Sequence, residues 1–336
     1  MSPIRVIHAG ARGRGRWPVD LIADDPRFES VALVGRHPEL LDDELAAAGL
    51  TATDAFADLM VALESVECDA VIVSTPVELH ARDLRAAFAA GKHVLVEKCL
   101  SNDWNEAKEL VAEAEQAGVR LVVAQNYRFT PDWRALSAAV ASGKYGEIGL
   151  VHMTVHKFRP APRQQDYPLA AFWDQGCHHV DSLQSVLGPI AEANACTYSA
   201  PWSQYRDDAA VTSIMRFESG ATWVYDLSNL VRRFHVASSL HSAAGALVAD
   251  WGPWQWFETA SDETAAFGWN RDPIPLPIPD GPPTGEHGVL DAFHGAIMSG
   301  DSMGLDGRSN LETLRVCEMV QRSVELRRPV QRWEVT

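Results

Sequence analysis

Basic residues are in short supply in this chain: 29 lysines and arginines stand against 45 aspartates and glutamates, a formal charge of −16. Nucleic acid demands a surface that neutralises phosphates, so no nucleic-acid partner is expected. Cysteine is sparse as well. Cys68, Cys99, Cys177, Cys196 and Cys317 are scattered without CxxC spacing; this excludes a zinc knuckle or disulfide framework and fits reduced thiols. No apolar run approaches the roughly 20 residues that a membrane helix requires, so no membrane partner is expected. MSPIRVIHAG enters a strand pattern at once, leaving no room for a secretion signal, and the expected location is cytoplasmic. Long repeats and low-complexity tracts are also missing.

What is present is an ordinary globular composition, 46% hydrophobic and 22% charged, in a chain long enough for two domains. IRVIHAG (4–10), FESVALVG (28–35), CDAVIVST (68–75), HVLVEK (93–98) and RLVVAQNY (120–127) are short apolar runs. Helical stretches separate them, at VDLIADD, 77–90 and 103–117. The alternation predicts a parallel sheet covered on both faces, a Rossmann dinucleotide-binding domain over residues 1–125.

The first turn reads Gly10-Ala11-Arg12-Gly13-Arg14-Gly15. Gly10 and Gly15 hold the first and third positions of a G-x-G-x-x-G fingerprint, and Arg12 takes the second. Gly13 restores flexibility beside it, and Arg12 and Arg14 are candidates to meet phosphate directly. At the tip of the second strand, where NAD binders usually carry an acid, this chain has Gly35-Arg36-His37. Arg36 suits a 2′-phosphate, so NADP(H) is favoured and NAD(H) is possible.

From GEIGLVHMTVHKF (146–158) the pattern changes to strands and turns. AAVTSIMRFESGATWVYDLSNL (209–230) predicts a hairpin around Glu218-Ser219-Gly220, and 238–260 supplies further strands. Residues 126–336 therefore read as an α+β domain with an antiparallel sheet, its late helices (287–299 and 308–327) returning beside the first domain. An apolar outer sheet face with many tryptophans suggests a homodimer or homotetramer. Trp202, Trp251, Trp254 and Trp256 read as sheet packing, and PIPLPIPDGPPTG (273–285) as a loop.

FWDQGCHHVD (172–181) places Asp174, His178 and Asp181 on one helical face, with His179 pointing elsewhere. Two ligand types on one helix with no clear third are thin for a metal, and none is expected.

With the glycine turn, STPVELH (74–80), AGKHVLVEKC (90–99), AQNYRFTP (124–131), GEIG (146–149), DQGCHHVD (174–181) and GRSNLETLRVCEMVQRS (307–323), the chain resembles the Gfo/Idh/MocA oxidoreductases along almost its full length. These are the glucose–fructose oxidoreductase and inositol dehydrogenase relatives. The most specific motifs are the Glu-Lys pair after a buried strand and the D-x-G-x-H-x-x-D run. The resemblance implies an N-terminal Rossmann domain and a C-terminal domain with a large, mostly antiparallel sheet. It implies that Lys98 lies beside the nicotinamide and that Asp174 and His178 complete the catalytic set. Ser74, Thr75, Pro76, His80 and Glu97 join the expected cofactor contacts. Cys99 stands where the family motif has proline.

Oxidising a secondary alcohol removes a hydride from carbon and a proton from oxygen, so the protein must handle the proton. His178 titrates in the right range, Lys98 can hydrogen-bond the same oxygen, and Asp174 can orient substrate or imidazole. Asp181 is expected to buttress the helix. The expected substrate is a sugar, cyclic polyol or ketosugar. Tyr127, Arg128, Lys157 and Trp173 are candidate substrate contacts, with His156 and Arg159 on segments near the same cleft. The resemblance also admits a glycoside hydrolase or epimerase that keeps NAD(P) bound and cycles it. A third reading is a non-catalytic nucleotide-binding regulator on the same fold, against which the retained Lys98, Asp174 and His178 argue.

Overall fold

The computed structural model describes residues 2–162, 167–205, 209–250, 252–258 and 272–336. Trp251 and the end of the 238–260 stretch lie outside the described residues.

In chain order the first part contains β1 (Ile4–Ala9), α1 (Arg16–Ala23), β2 (Phe28–Val34), α2 (Asp42–Ala48), β3 (Ala55–Phe56) and α3 (Leu59–Ser65). It continues through β4 (Ala70–Val73), α4 (Val77–Ala89), β5 (His93–Val96), α5 (Trp104–Gln116) and β6 (Leu121–Val123). Then come α6 (Pro131–Ala141), β7 (Leu150–Phe158), a π-helical turn Phe172–Gly176, α7 (Cys177–Leu187), β8 (Ile190–Tyr198), β9 (Ala210–Phe217) and β10 (Thr222–Ser228). The chain closes with β11 (Leu230–Ser242), β12 (Gly245–Asp250), β13 (Gln255–Glu258), β14 (Ile274–Pro275), α8 (Gly285–Met298), α9 (Gly307–Leu326) and β15 (Val330–Gln331).

Two compact units result. The first comprises residues 1–126 and 284–311, the second 127–283 and 312–336. In the first, six strands lie in the order β3-β2-β1-β4-β5-β6, all neighbours parallel. The central strands read as unbroken apolar runs because both faces are covered: every residue of β4 is buried. Each buried Val, Leu or Ile contributes about 1.5–3 kcal/mol of transfer free energy. α8 belongs to this unit, and the Phe293 ring stacks on that of Phe28 with centroids 6.2 Å apart. Strand order reverses between β1 and β4, the position where open α/β sheets bind ligands. β3 was invisible to pattern reading because two residues carry no periodicity.

The second unit holds a nine-stranded sheet, β14-β13-β12-β11-β7-β10-β9-β8-β15, antiparallel except where β10 pairs with β7. The β9–β10 hairpin turns through Gly220, whose φ of +95° is a glycine conformation. Strand alternation sorts β7 into two sets. Val151, Met153 and Val155 are buried and face the side on which Phe172 of the π-helical turn and His179 of α7 pack against Tyr225 of β10. His152, Thr154, His156 and Phe158 face the other side.

That outer face differs from the expected tryptophan-rich apolar one. Trp223, Trp254 and Trp256 are buried, while the outer face mixes His152, His156 and Asp226 with exposed Phe158 and Ile214. These three bury their large rings in the core, where the gain is greatest, whereas Trp202, expected as sheet packing, is 46% exposed. The proline-rich 273–285 stretch is mainly loop, but Ile274–Pro275 pairs with β13 as an edge strand, a place where proline's missing N–H costs nothing.

Candidate active site

The glycine turn follows directly from β1. Gly10 has φ +86°, and a Cβ there would stand 2.7 Å from the backbone of Ser74 and Thr75 at the end of β4. A Cβ on Gly15 would lie 1.7 Å from the Gly10 carbonyl oxygen. Neither position tolerates a side chain, because two loop backbones meet there. Gly13 has φ +61° and open space around it, and Arg12 is extended and exposed. The 3-10 turn Gly13–Gly15 leads into α1, whose leading N–H groups give an anion-favouring end.

Arg14 is committed to protein. Its Nε donates to Oε1 of Glu97 (2.9 Å) and its Nη1 to Glu286 (3.4 Å). Trp17 Nε1 donates to the same Glu97 oxygen (2.7 Å), and Asn126 Nδ2 donates to Glu286 (2.9 Å). Trp17 and Glu286 carried no signal in the sequence, and Asn126 lay in AQNYRFTP without a role assigned, since this cluster joins residues up to 272 positions apart. Glu97 is 5% exposed, and its Oε2 has no hydrogen-bond partner among the described residues. The Ser74 hydroxyl beside the glycines is likewise buried and has no partner among the described residues. A glycine cradle closed to any Cβ, a helix start and an orphaned hydroxyl at the reversal of strand order together fit a dinucleotide.

Thr75 Oγ1 donates to Asp83 (2.8 Å), and Pro76 caps the start of α4. His80 is 1% exposed, and its ring nitrogens face main-chain carbonyls of Thr75, Cys99 and Leu100. Lys98 lies two residues past β5, and the Lys98–Cys99 peptide bond is cis. Arg36 is exposed just past β2, and nearby Glu39 is engaged with His37 at 3.2 Å.

The remaining candidates belong to the second unit. His178 is 6% exposed, and its imidazole stacks on the Tyr127 ring with centroids 4.2 Å apart and planes 8° from parallel. Gln175 Nε2 donates to the Tyr127 hydroxyl (3.0 Å), and Lys157 donates to Gln175 Oε1. Asp174 is half-exposed and meets Arg159 at 3.4 Å. The expectation of one α-helical face holding Asp174, His178 and Asp181 is corrected. Asp174 sits in the wide π-helical turn and reaches solvent, whereas His178 and Asp181 are buried.

Asp181 takes two hydrogen bonds of 2.6 Å from Arg128 and one of 3.2 Å from Thr313. Burial raises its pKa, and the guanidinium and hydroxyl oppose that rise. The Arg128 guanidinium is thus used within the protein. Trp173 is fully buried with Nε1 donating to Gln321 (2.9 Å), so it offers no open ring face to a sugar. His156 lies on the sheet's outer face bound to Asp226 at 2.6 Å, away from its chain neighbour Lys157, because successive strand residues point oppositely.

Residues 5–125 match a family model described as an oxidoreductase family with an NAD-binding Rossmann fold, and residues 133–248 match the GFO/IDH/MocA C-terminal domain. The chain belongs to the Gfo/Idh/MocA oxidoreductase family. It is 31% identical over 190 residues to the 1,5-anhydro-D-fructose reductase of Ensifer adhaerens, covering 54% of this chain and 57% of that one. It is 28% identical over 201 residues to the 4-carboxy-2-hydroxymuconate-6-semialdehyde dehydrogenase of Sphingobium sp., covering 57% and 62%. The match thus spans less than two thirds of either relative. The WlbA dehydrogenase of Bordetella pertussis, solved with NADH and UDP-GlcNAcA, superposes with a TM-score of 0.81 at 22% identity over 98% of both chains; that likeness is one of fold.

Proposed function

We propose that this protein is an NAD(P)-dependent oxidoreductase that interconverts a secondary alcohol and a ketone on a sugar, cyclic polyol or ketosugar. The observation that carries the reading is the cradle formed by Gly10, Gly15 and the orphaned Ser74 hydroxyl, with Glu97 and Lys98 just past the end of β5. The family description and the relatives named as reductase and dehydrogenase support it.

In this reading Gly10 and Gly15 let the backbone approach the pyrophosphate, and Arg12, exposed at the turn, adds a cation. The nicotinamide, when bound, accepts or supplies the hydride. His178 handles the proton of the reacting oxygen, and Lys98 donates a hydrogen bond to that oxygen and stabilises its developing negative charge. The parallel stack on Tyr127 fixes the plane of the His178 ring. Asp174, Lys157 and Tyr127 order the substrate hydroxyls. Arg36 makes NADP(H) the favoured cofactor.

The test is a panel of sugars and polyols followed by nicotinamide absorbance, in wild type and His178→Ala. The variant should bind nucleotide as before while turnover drops roughly 10²–10⁴-fold. Unchanged turnover on an accepted substrate would remove the histidine from the chemistry.

A further inference from the structure

His80, on α4, is enclosed by carbonyl oxygens. Its Nδ1 lies 2.9 Å from the Cys99 carbonyl oxygen and 3.3 Å from that of Leu100, and its Nε2 lies 2.9 Å from that of Thr75. A carbonyl oxygen only accepts. A neutral imidazole carries one N–H, so one ring nitrogen would aim a lone pair at an oxygen lone pair in a site 1% exposed. Only the doubly protonated ring donates in both directions.

Burial is the largest influence and lowers the ring's pKa below the ordinary histidine value; the Thr75, Leu100 and Cys99 carbonyls and the Glu97 carboxylate oppose that shift without cancelling it. Against that direction stands the arrangement of acceptors, which no neutral tautomer satisfies at both nitrogens. One buried carboxylate supplies countercharge, Glu97, which also holds Arg14; Asp83 on the same helix is engaged by Thr75 and Arg82. A donor at each ring nitrogen joins two loops that the sequence keeps apart. One is the end of β4, against Gly10; the other is the segment that carries Lys98.

We propose that His80 is held as an imidazolium that ties Thr75 to Cys99 and Leu100, and that it is a positioning residue for Lys98. The second half rests on the role given to Lys98 above. Losing the ring proton breaks one of the two ties, so the main chain beneath Lys98 loosens as the pH rises through the ring's titration.

The direct measurement is NMR of the full-length protein labelled with ¹³C and ¹⁵N in histidine, the His80 ring being assigned through its own Cβ. At pH about 8, above the ordinary histidine pKa of about 6.5, both His80 nitrogens should still carry protons. A neutral tautomer at that pH overturns the proposal, and this holds even if variants fail to fold. His80→Gln should abolish the signal and lower turnover roughly ten- to hundredfold, as expected for a misplaced catalytic group. The wild-type turnover should fall on the alkaline side at the pH where the ring signal changes, and that limb should be missing from the variant's profile. A limb unrelated to the ring signal, or one retained in His80→Gln, overturns the positioning role. Lys98→Met separates the two readings: surviving turnover would end the role of Lys98, while the imidazolium signal would persist.

Discussion

Arg36 is exposed just past β2, where a carboxylate would serve ribose hydroxyls, and a guanidinium offers two parallel donors to a phosphate. If it reads the 2′-phosphate, Arg36→Ala should weaken NADP(H) binding roughly ten- to hundredfold and leave NAD(H) nearly unchanged. Equal losses in a fluorescence titration would defeat that assignment. Gly10 and Gly15 were legible in the sequence because their demand is local: a turn too tight for a Cβ. Arg14 was not. Its guanidinium answers to Glu97 and Glu286, and no local pattern announces an ion pair that closes across the whole chain.

At the scale of elements, Asp181 links three segments: Arg128 from the turn before α6, its own helix α7, and Thr313 on α9. An unpaired buried charge is costly, so Asp181→Asn should destabilise the protein by about 3–5 kcal/mol, while Arg128→Met with Asp181→Asn together should recover part of it. Urea unfolding read as a shifted midpoint at constant slope would show this; an unchanged midpoint would mean that the pair contributes nothing. Periodicity located α7 but assumed a regular helix from 172 onward. The π-helical turn that sets Asp174 apart depends on packing of Phe172 against Gly176 and Tyr225. Strand period was equally decisive for β7. It separates His156 from Lys157 and Arg159, a split available in the alternation of the sequence and masked by treating the segment as one cleft wall.

For the molecule as a whole, each unit encloses a neutral histidine. Burial lowers His8 in the first unit to a pKa of about 3, and His179 in the second likewise to about 3. His8 meets Ser30 at 2.9 Å, and His179 meets Tyr225 at 2.7 Å. The unfolded chain titrates near 6.5, so between about 6.5 and 3 it holds more protons than the folded one. Stability should therefore fall as the pH is lowered through that window, by an amount of the order of a few kcal/mol per ring. His8→Asn should flatten the pH dependence of the urea midpoint; an undiminished slope would show that carboxylates alone are responsible. For the dimer or tetramer expected from the sequence, we propose the outer sheet face with Phe158 and Ile214 exposed as the contact. Sedimentation velocity reporting only monomer at micromolar concentration would end that view.

The interleaved course of the chain also governs how it is made. Residues 1–126 leave the ribosome first, yet their unit is finished only by 284–311, after nearly all of the other unit has been synthesised. Until α8 is translated, the aromatic surface of Phe28 lacks Phe293 and stays open to water or to stray neighbours. Between the synthesis of residue 126 and that of α8, the first unit thus stays half-built, with an apolar surface still to be covered.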